Sequence, residues 1–143
     1  MCDSLEVPVG GILGLHHVKV PVTDLERSRK WYEQVFDLEP EVEFRDDDGS
    51  VRGVAYRPKA GFTLALRENP EVARAIVGFD PFAILVQGRA DVDAWAGRLD
   101  AFGIAHSPVI EGAVGWLLSF KDPDGIELRL YSADRHGGTR SEA

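Results

Sequence analysis

The 143-residue sequence predicts an α+β protein made of two tandem β-α-β-β-β modules. Strand-like and helix-like patterns follow each other in the same order twice along the chain. His17-Val18-Lys19-Val20-Pro21-Val22 aligns with Pro81-Phe82-Ala83-Ile84-Leu85-Val86, 64 residues on. Gly61-Phe62-Thr63-Leu64-Ala65-Leu66 aligns with Gly125-Ile126-Glu127-Leu128-Arg129-Leu130 at the same offset of 64. A register shared by both ends of the unit points to a duplication.

The elements follow in order. His17 to Val22 alternates apolar and polar residues, the period of a half-buried strand. Thr23 or Asp24 caps the next helix, in which Leu25, Ser28, Trp31, Tyr32, Val35 and Phe36 recur at helical spacing. A break at Asp37 to Pro40 ends it, and short strands are expected at 42–44, 51–57 and 62–67. Between the modules, Pro70 to Val77 is a short helical candidate with proline at an early position. The second module opens with the strand Phe82 to Val86. Three extra residues, Gly88-Arg89-Ala90, are expected to delay its helix, so that it opens at Asp91 and carries Val92, Trp95, Leu99 and Phe102 on one face. Strands at 105–109, 116–120 and 126–131 complete it. The chain reads as one domain over 1–143, with module one at about 13–67, module two at about 80–132, and a polar tail at 133–143 expected to fray.

Composition narrows the function. The hydrophobic fraction is 44% and the charged fraction 28%, ordinary for a globular domain. A formal net charge of -8 disfavours a nucleic-acid partner, and no apolar run reaches the roughly 18 residues of a membrane span. Cys2, the one cysteine, excludes an internal disulfide, and the acidic start Met1 to Glu6 lacks the order of a signal peptide. A cytoplasmic protein is expected. Asp37, Glu39, Glu41, Glu43, Asp46, Asp47 and Asp48 form an acidic stretch relieved locally only by Arg45, read as a solvated strand edge and loop.

Leu15-His16-His17-Val18, the run Asp24 to Tyr32, Asp91-Val92-Asp93-Ala94-Trp95 and the turn Asp122-Pro123-Asp124-Gly125 together resemble the vicinal oxygen chelate superfamily, which includes glyoxalases, bleomycin-resistance proteins and extradiol dioxygenases. The resemblance covers about residues 13–132. It implies that the paired modules curl into a cup-shaped mixed sheet whose concave face holds a divalent metal. The implied ligand positions lie on the first and last strands of each module, and fall here on His17, Ala65, Pro81 and Arg129. Only His17 is a donor suited to a metal, and a guanidinium repels a dication. Glu127 lies two residues before the ligand position. No metal and no other cofactor is therefore expected, and the chain reads as a degenerate member of the superfamily.

Strand alternation sets His17 and Lys19 on one face, Glu127, Arg129 and Tyr131 on the corresponding face of the last strand, and Thr63, Ala65 and Arg67 on the matching strand of module one. His17, Glu127 and Tyr131 are the catalytic candidates. As an imidazole, His17 suits general acid-base work. Arg129, Lys19, Arg67 and Trp116 are the substrate-binding candidates: the cations for an enolate, phenolate or carboxylate, and the indole for a flat ligand. His16 and His106 read as structural. The expected function is metal-independent acid-base chemistry (dehydration, cyclisation or isomerisation) on a small aromatic or polyketide-type metabolite. One alternative is a non-catalytic binding protein of the bleomycin-resistance type; another is a metal-dependent glyoxalase-like or dioxygenase-like enzyme. The expected partners are a small-molecule ligand and a second copy of the chain, because one cup leaves strand edges and apolar rims uncovered.

Overall fold

A computed structural model describes residues 9–134; the expectations for Met1 to Glu6, for Cys2 and for most of the tail lie outside the described residues. The elements are β1 (Val18–Val22), α1 (Leu25–Phe36), β2 (Pro40–Arg45), β3 (Val51–Tyr56), β4 (Leu64–Glu68), α2 (Pro70–Ala75), β5 (Ala83–Val86), α3 (Arg89–Ala101), β6 (Ile110–Glu111), β7 (Trp116–Lys121) and β8 (Glu127–Ser132). They form two four-stranded mixed sheets, ordered β1-β4-β3-β2 and β5-β8-β7-β6. This is the tandem α+β architecture that the duplicated pattern predicts, although the two sheets remain separate within the chain.

The duplication extends to the hydrogen-bond register. Lys19 pairs with Ala65 across the parallel β1–β4 ladder, and Ala83 with Arg129 across β5–β8. Ala55 pairs with Ala65 and Gly53 with Arg67, while Ser119 pairs with Arg129 and Leu117 with Tyr131. Each of these second-half partners lies 64 positions beyond its counterpart. The helices open at the same offset, so the expected delay of α3 is corrected: it opens at Arg89, not Asp91. Asp91 stands at the third helical position, where its carboxylate accepts the Gly88 N–H at 3.0 Å, and Asp134 accepts the Arg89 N–H at 3.1 Å. An acid that serves the first turn from inside imitates a capping residue in the sequence. In the first half Asp24 caps α1 by accepting from the Arg27 N–H.

One further boundary moves. The strand expected at 105–109 is reduced to a single bridge between His106 and Phe120, and the edge strand β6 comes later. Pro108 has no N–H to offer a ladder. Ser107 ties this stretch to β7 by other means, with its N–H on the Ser119 carbonyl and its Oγ accepting from the Ser119 N–H.

Val20, Val22, Leu66, Leu118, Leu128 and Leu130 are buried on the helix-side faces of the sheets. The helices also join the halves: Phe36 stands 5.5 Å from Trp95 and Trp31 6.3 Å from Phe120, ring centre to ring centre. Arg98 of α3 donates to the Val35 and Gln34 carbonyls at the end of α1. Buried Tyr32 donates to Asp122 Oδ2 at 2.6 Å, and Asp122 Oδ1 accepts from the Asp124 and Ile126 N–H groups. Asp124 in turn accepts from the Thr23 N–H and from Arg27. The Asp-Pro-Asp-Gly turn therefore clasps the first half as well as leading into β8.

Candidate functional site

With α1 and α3 covering one face of each sheet, the opposite faces are left open. On the first sheet, β1, β4, β3 and β2 place the paired residues Lys19, Ala65, Ala55 and Val42 in one row, and Arg67, Gly53 and Phe44 in the next. The small side chains leave a hollow. A cavity of about 390 Å³ is lined by His16, His17, Lys19, Phe44, Ala55, Thr63, Ala65, Leu66 and Arg67. Gly53 helps to shape it, since a Cβ there would stand 3.1 Å from the Leu66 carbonyl and 3.5 Å from Arg67 Cδ.

The side chains of Lys19 and Arg67 make no ion pair or hydrogen bond with the described residues. Among the described residues no carboxylate lines the cavity with them. His17 stands against His16, Nδ1 to Nδ1, at 3.0 Å, with the rings edge-on at 83°. One of these nitrogens donates and the other accepts. It leaves the Nε2 of His17 for a ligand. His16 was expected to be structural; it is instead exposed and lines this cavity. Strict alternation misplaces it because β1 begins only at Val18, and His16 belongs to the irregular approach.

The second half contributes separately. Arg129 Nε meets Glu127 at 2.7 Å and Arg129 Nη1 meets Asp80 at 3.4 Å; the bond from Glu127 raises the guanidinium pKa above its usual range. Glu127 lines a different cavity, of about 370 Å³, with His106, Ser107, Ser119 and Lys121. Tyr131 leans on the turn before β7, where a side chain at Gly112 would collide with the phenol oxygen. Trp116 packs at the edge of the core, beneath the guanidinium of Arg89 at 4.2 Å from the ring centre. Within one chain, His17, Lys19 and Arg67 thus come together, and Glu127, Arg129, Tyr131 and Trp116 line no part of their cavity.

The metal implied by the resemblance fits these residues poorly. Among the described residues no three His, Cys, Asp or Glu side chains are grouped to hold an ion. Arg129 brings positive charge and Glu127 is engaged with it, while the first cavity offers two imidazoles flanked by two cations. His106 is bonded at both nitrogens, to the Ser107 carbonyl at 2.6 Å and to Asp100 at 2.8 Å, and those two acceptors raise its pKa. The acidic stretch is better neutralised than its sequence suggests, because Arg29 meets Glu43 and Arg52 meets Asp46.

A family model described as the Glyoxalase/Bleomycin resistance protein/Dioxygenase superfamily matches residues 14–130. Among solved structures, a glyoxylase/bleomycin resistance protein/dioxygenase domain from Frankia sp. EAN1pec is similar, with 27% identity, TM-score 0.70, and coverage of 89% of this chain and 95% of that one. TnmS3, an antibiotic binding protein from Streptomyces sp. CB03234, has 24% identity and TM-score 0.69, over 85% of this chain and 96% of its own. The fosfomycin resistance protein FosX from Listeria monocytogenes, as a mutant complexed with Mn(II) and dihydroxypropylphosphonic acid, has 23% identity and TM-score 0.63, over 84% and 92%. The last two likenesses bear on the fold alone. No helix among the described residues is long and apolar enough to cross a membrane.

Proposed function

This chain belongs to the glyoxalase/bleomycin resistance protein/dioxygenase superfamily, and from that premise we propose that it is a metal-independent enzyme acting on a small, acid-bearing, aromatic or polyketide-type metabolite. The observation that carries the reading is the first cavity, where His17 stands among cations with no carboxylate among the described residues of one chain. Lys19 and Arg67 hold the anionic group of the ligand, and Phe44 covers its ring. His17 Nε2 removes a proton beside a carbonyl and the cations stabilise the resulting enolate; the proton then returns to another carbon, which gives isomerisation, or goes to a hydroxyl on the β-carbon as its C–O bond breaks, which releases water.

The working unit in this proposal is a homodimer. Leu13, Leu15 and Leu85 are 99%, 75% and 71% exposed, and Phe44 and Val42 add apolar surface on the open face. Uncovered apolar area on this scale calls for a partner. In a symmetric pair, the open face of the first sheet of one copy meets the open face of the second sheet of the other. His17, Lys19 and Arg67 of one copy then share a site with Glu127, Arg129 and Tyr131 of the other. Co-expressed His17→Asn and Arg129→Ala chains should regain part of the function that each lacks alone; no recovery, or a monomer in sedimentation, overturns this arrangement.

The enzyme reading is tested by solvent exchange. A panel of aryl 1,3-dicarbonyl acids is incubated with the protein in D2O and followed by NMR, and exchange at the acidic carbon should fall at least about 100-fold in His17→Asn. A panel member that binds and is recovered without exchange or rearrangement favours a second reading, sequestration of a drug-like molecule without chemistry. That reading is supported by the cavity lining of the single chain, in which no carboxylate among the described residues stands beside His17 as a second proton carrier. Failure of every acid to bind removes both.

A further inference from the structure

A second cavity lies at the seam between the halves and has the opposite chemistry. It measures about 220 Å³ and is walled by Phe36, Phe62, Leu64, Phe82, Ile84 and Trp95. Residues from both modules contribute, including the end of α1, the approach to β4, β5 and α3. The hollow opens to the surface beside Lys59, Ala60 and the exposed Leu85, and the rest of its wall is apolar. Water is a poor occupant, because it needs two to four polar partners and this wall is apolar.

Lys59, the one charged residue among the described residues at the rim, narrows that class further. Its ammonium donates to the Asp37 carbonyl at 2.5 Å and to the Phe36 carbonyl at 3.5 Å, and meets the Asp37 carboxylate at 3.3 Å. An ammonium has three protons, and these three acceptors use them. No donor and no net charge is left over for an anion. In the first cavity, by contrast, Lys19 and Arg67 are both without a partner among the described residues. One molecule therefore carries a cation-lined hollow and a neutral one.

We infer that the seam cavity is a binding site for a neutral, planar aromatic molecule of one or two rings. Such a molecule stacks among Phe36, Phe82 and Trp95 and touches both halves at once, so its occupancy stiffens their packing. Binding to the folded chain alone raises the melting temperature with ligand concentration.

Indole, neutral and of suitable size, is the probe, used with the full-length protein as isolated. Wild type should show a saturable rise in melting temperature with indole, and NMR contacts from indole protons to Phe36, Phe82 or Trp95. Ile84→Phe, which fills the hollow, should keep the circular dichroism of wild type and lose the indole shift. Should that variant not fold, the NMR contacts on wild type decide alone. The inference is overturned if wild type shows no saturable shift, if folded Ile84→Phe retains it, if the contacts map elsewhere, or if 1-naphthoate, an anion suited to the first cavity, displaces indole competitively. None of these results depends on His17 chemistry, so this inference and the proposed reaction stand or fall separately.

Discussion

Replacing Tyr32 with phenylalanine tests the clasp between the halves. The ring remains, so packing is unchanged and only the hydroxyl is lost. Both partners are buried, and the bond from Tyr32 to Asp122 is 2.6 Å long. A hydrogen bond to a charged group contributes about 1.5–3 kcal/mol. Asp122 keeps two backbone donors on its other oxygen, at 2.9 and 3.0 Å, which sets the expected loss near the middle of that range, about 2 kcal/mol. For a domain of this size that lowers the melting temperature by about 4–8 °C. The loss should also depend on pH. Burial raises the pKa of Asp122 in the folded chain, and the Tyr32 hydroxyl partly offsets it. A carboxyl whose folded pKa is raised contributes stability that is fully present below its unfolded value, near 3.9, and is lost as pH rises through the folded value. Removing the hydroxyl raises that folded value again. The difference between the proteins should therefore be small near pH 4 and full near pH 7.5. Urea unfolding at the two pH values measures it. A difference at pH 7.5 below about 0.5 kcal/mol, less than any buried charged hydrogen bond should give, refutes the reasoning; so does a difference equal at both pH values.

Lys19→Ala and Arg67→Ala should each weaken 1-naphthoate binding about tenfold, the loss of one charge-assisted contact, and added salt should weaken wild type more than either variant; equal affinities in titration calorimetry would move the anion site elsewhere. In the proposed dimer, where His17 of one copy meets positions 81 and 129 of the other, the double change Pro81→His and Arg129→Glu should give a protein that zinc stabilises against heat while neither single change does, and wild type isolated with one tightly held metal per chain would remove the argument from Arg129. His106→Gln should cost more stability at pH 5.5 than at pH 8.5. Its folded pKa is raised by the Ser107 carbonyl and Asp100, so its contribution is complete below the unfolded value near 6.5 and fades as pH rises through the folded one. A penalty independent of pH would mean that the ring acts by packing alone.

The duplication was legible because backbone pairing imposes a period on side chains. Val20 and Leu130 had to be apolar to sit beneath the helices, and both are fully buried. The same alternation placed Lys19 and Arg67 together correctly, since both lie within paired strands. It failed at His16, which precedes β1, where no ladder enforces which way a side chain points. It also failed to separate the two open faces. Alternation says that Arg129 and Lys19 each face away from the helices, but not that their sheets are different surfaces of one chain. Asp122 and Asp124 were legible as a turn and not as a clasp, because their partners Tyr32 and Arg27 lie 90 and 97 residues away. The seam cavity had no sequence signal at all, as its walls are ordinary core residues drawn from separate stretches of both modules.

The constant offset of 64 gives the slots of β1, β4 and β3 twins in β5, β8 and β7, though not those of the edge strand β2. Lys19 answers to Ala83, Thr63 to Glu127, Ala65 to Arg129, Arg67 to Tyr131 and, just before the first strands, His17 to Pro81. Hydrogen bonds between main chains hold the slots within the ladders in place, whatever side chain occupies them. Chemistry has thus drifted apart at five twinned addresses while the scaffold stayed constant, and the chain carries its own reference copy. An engineer could move a charge from one surface to the other simply by writing it 64 positions along, with the untouched half serving as the internal control.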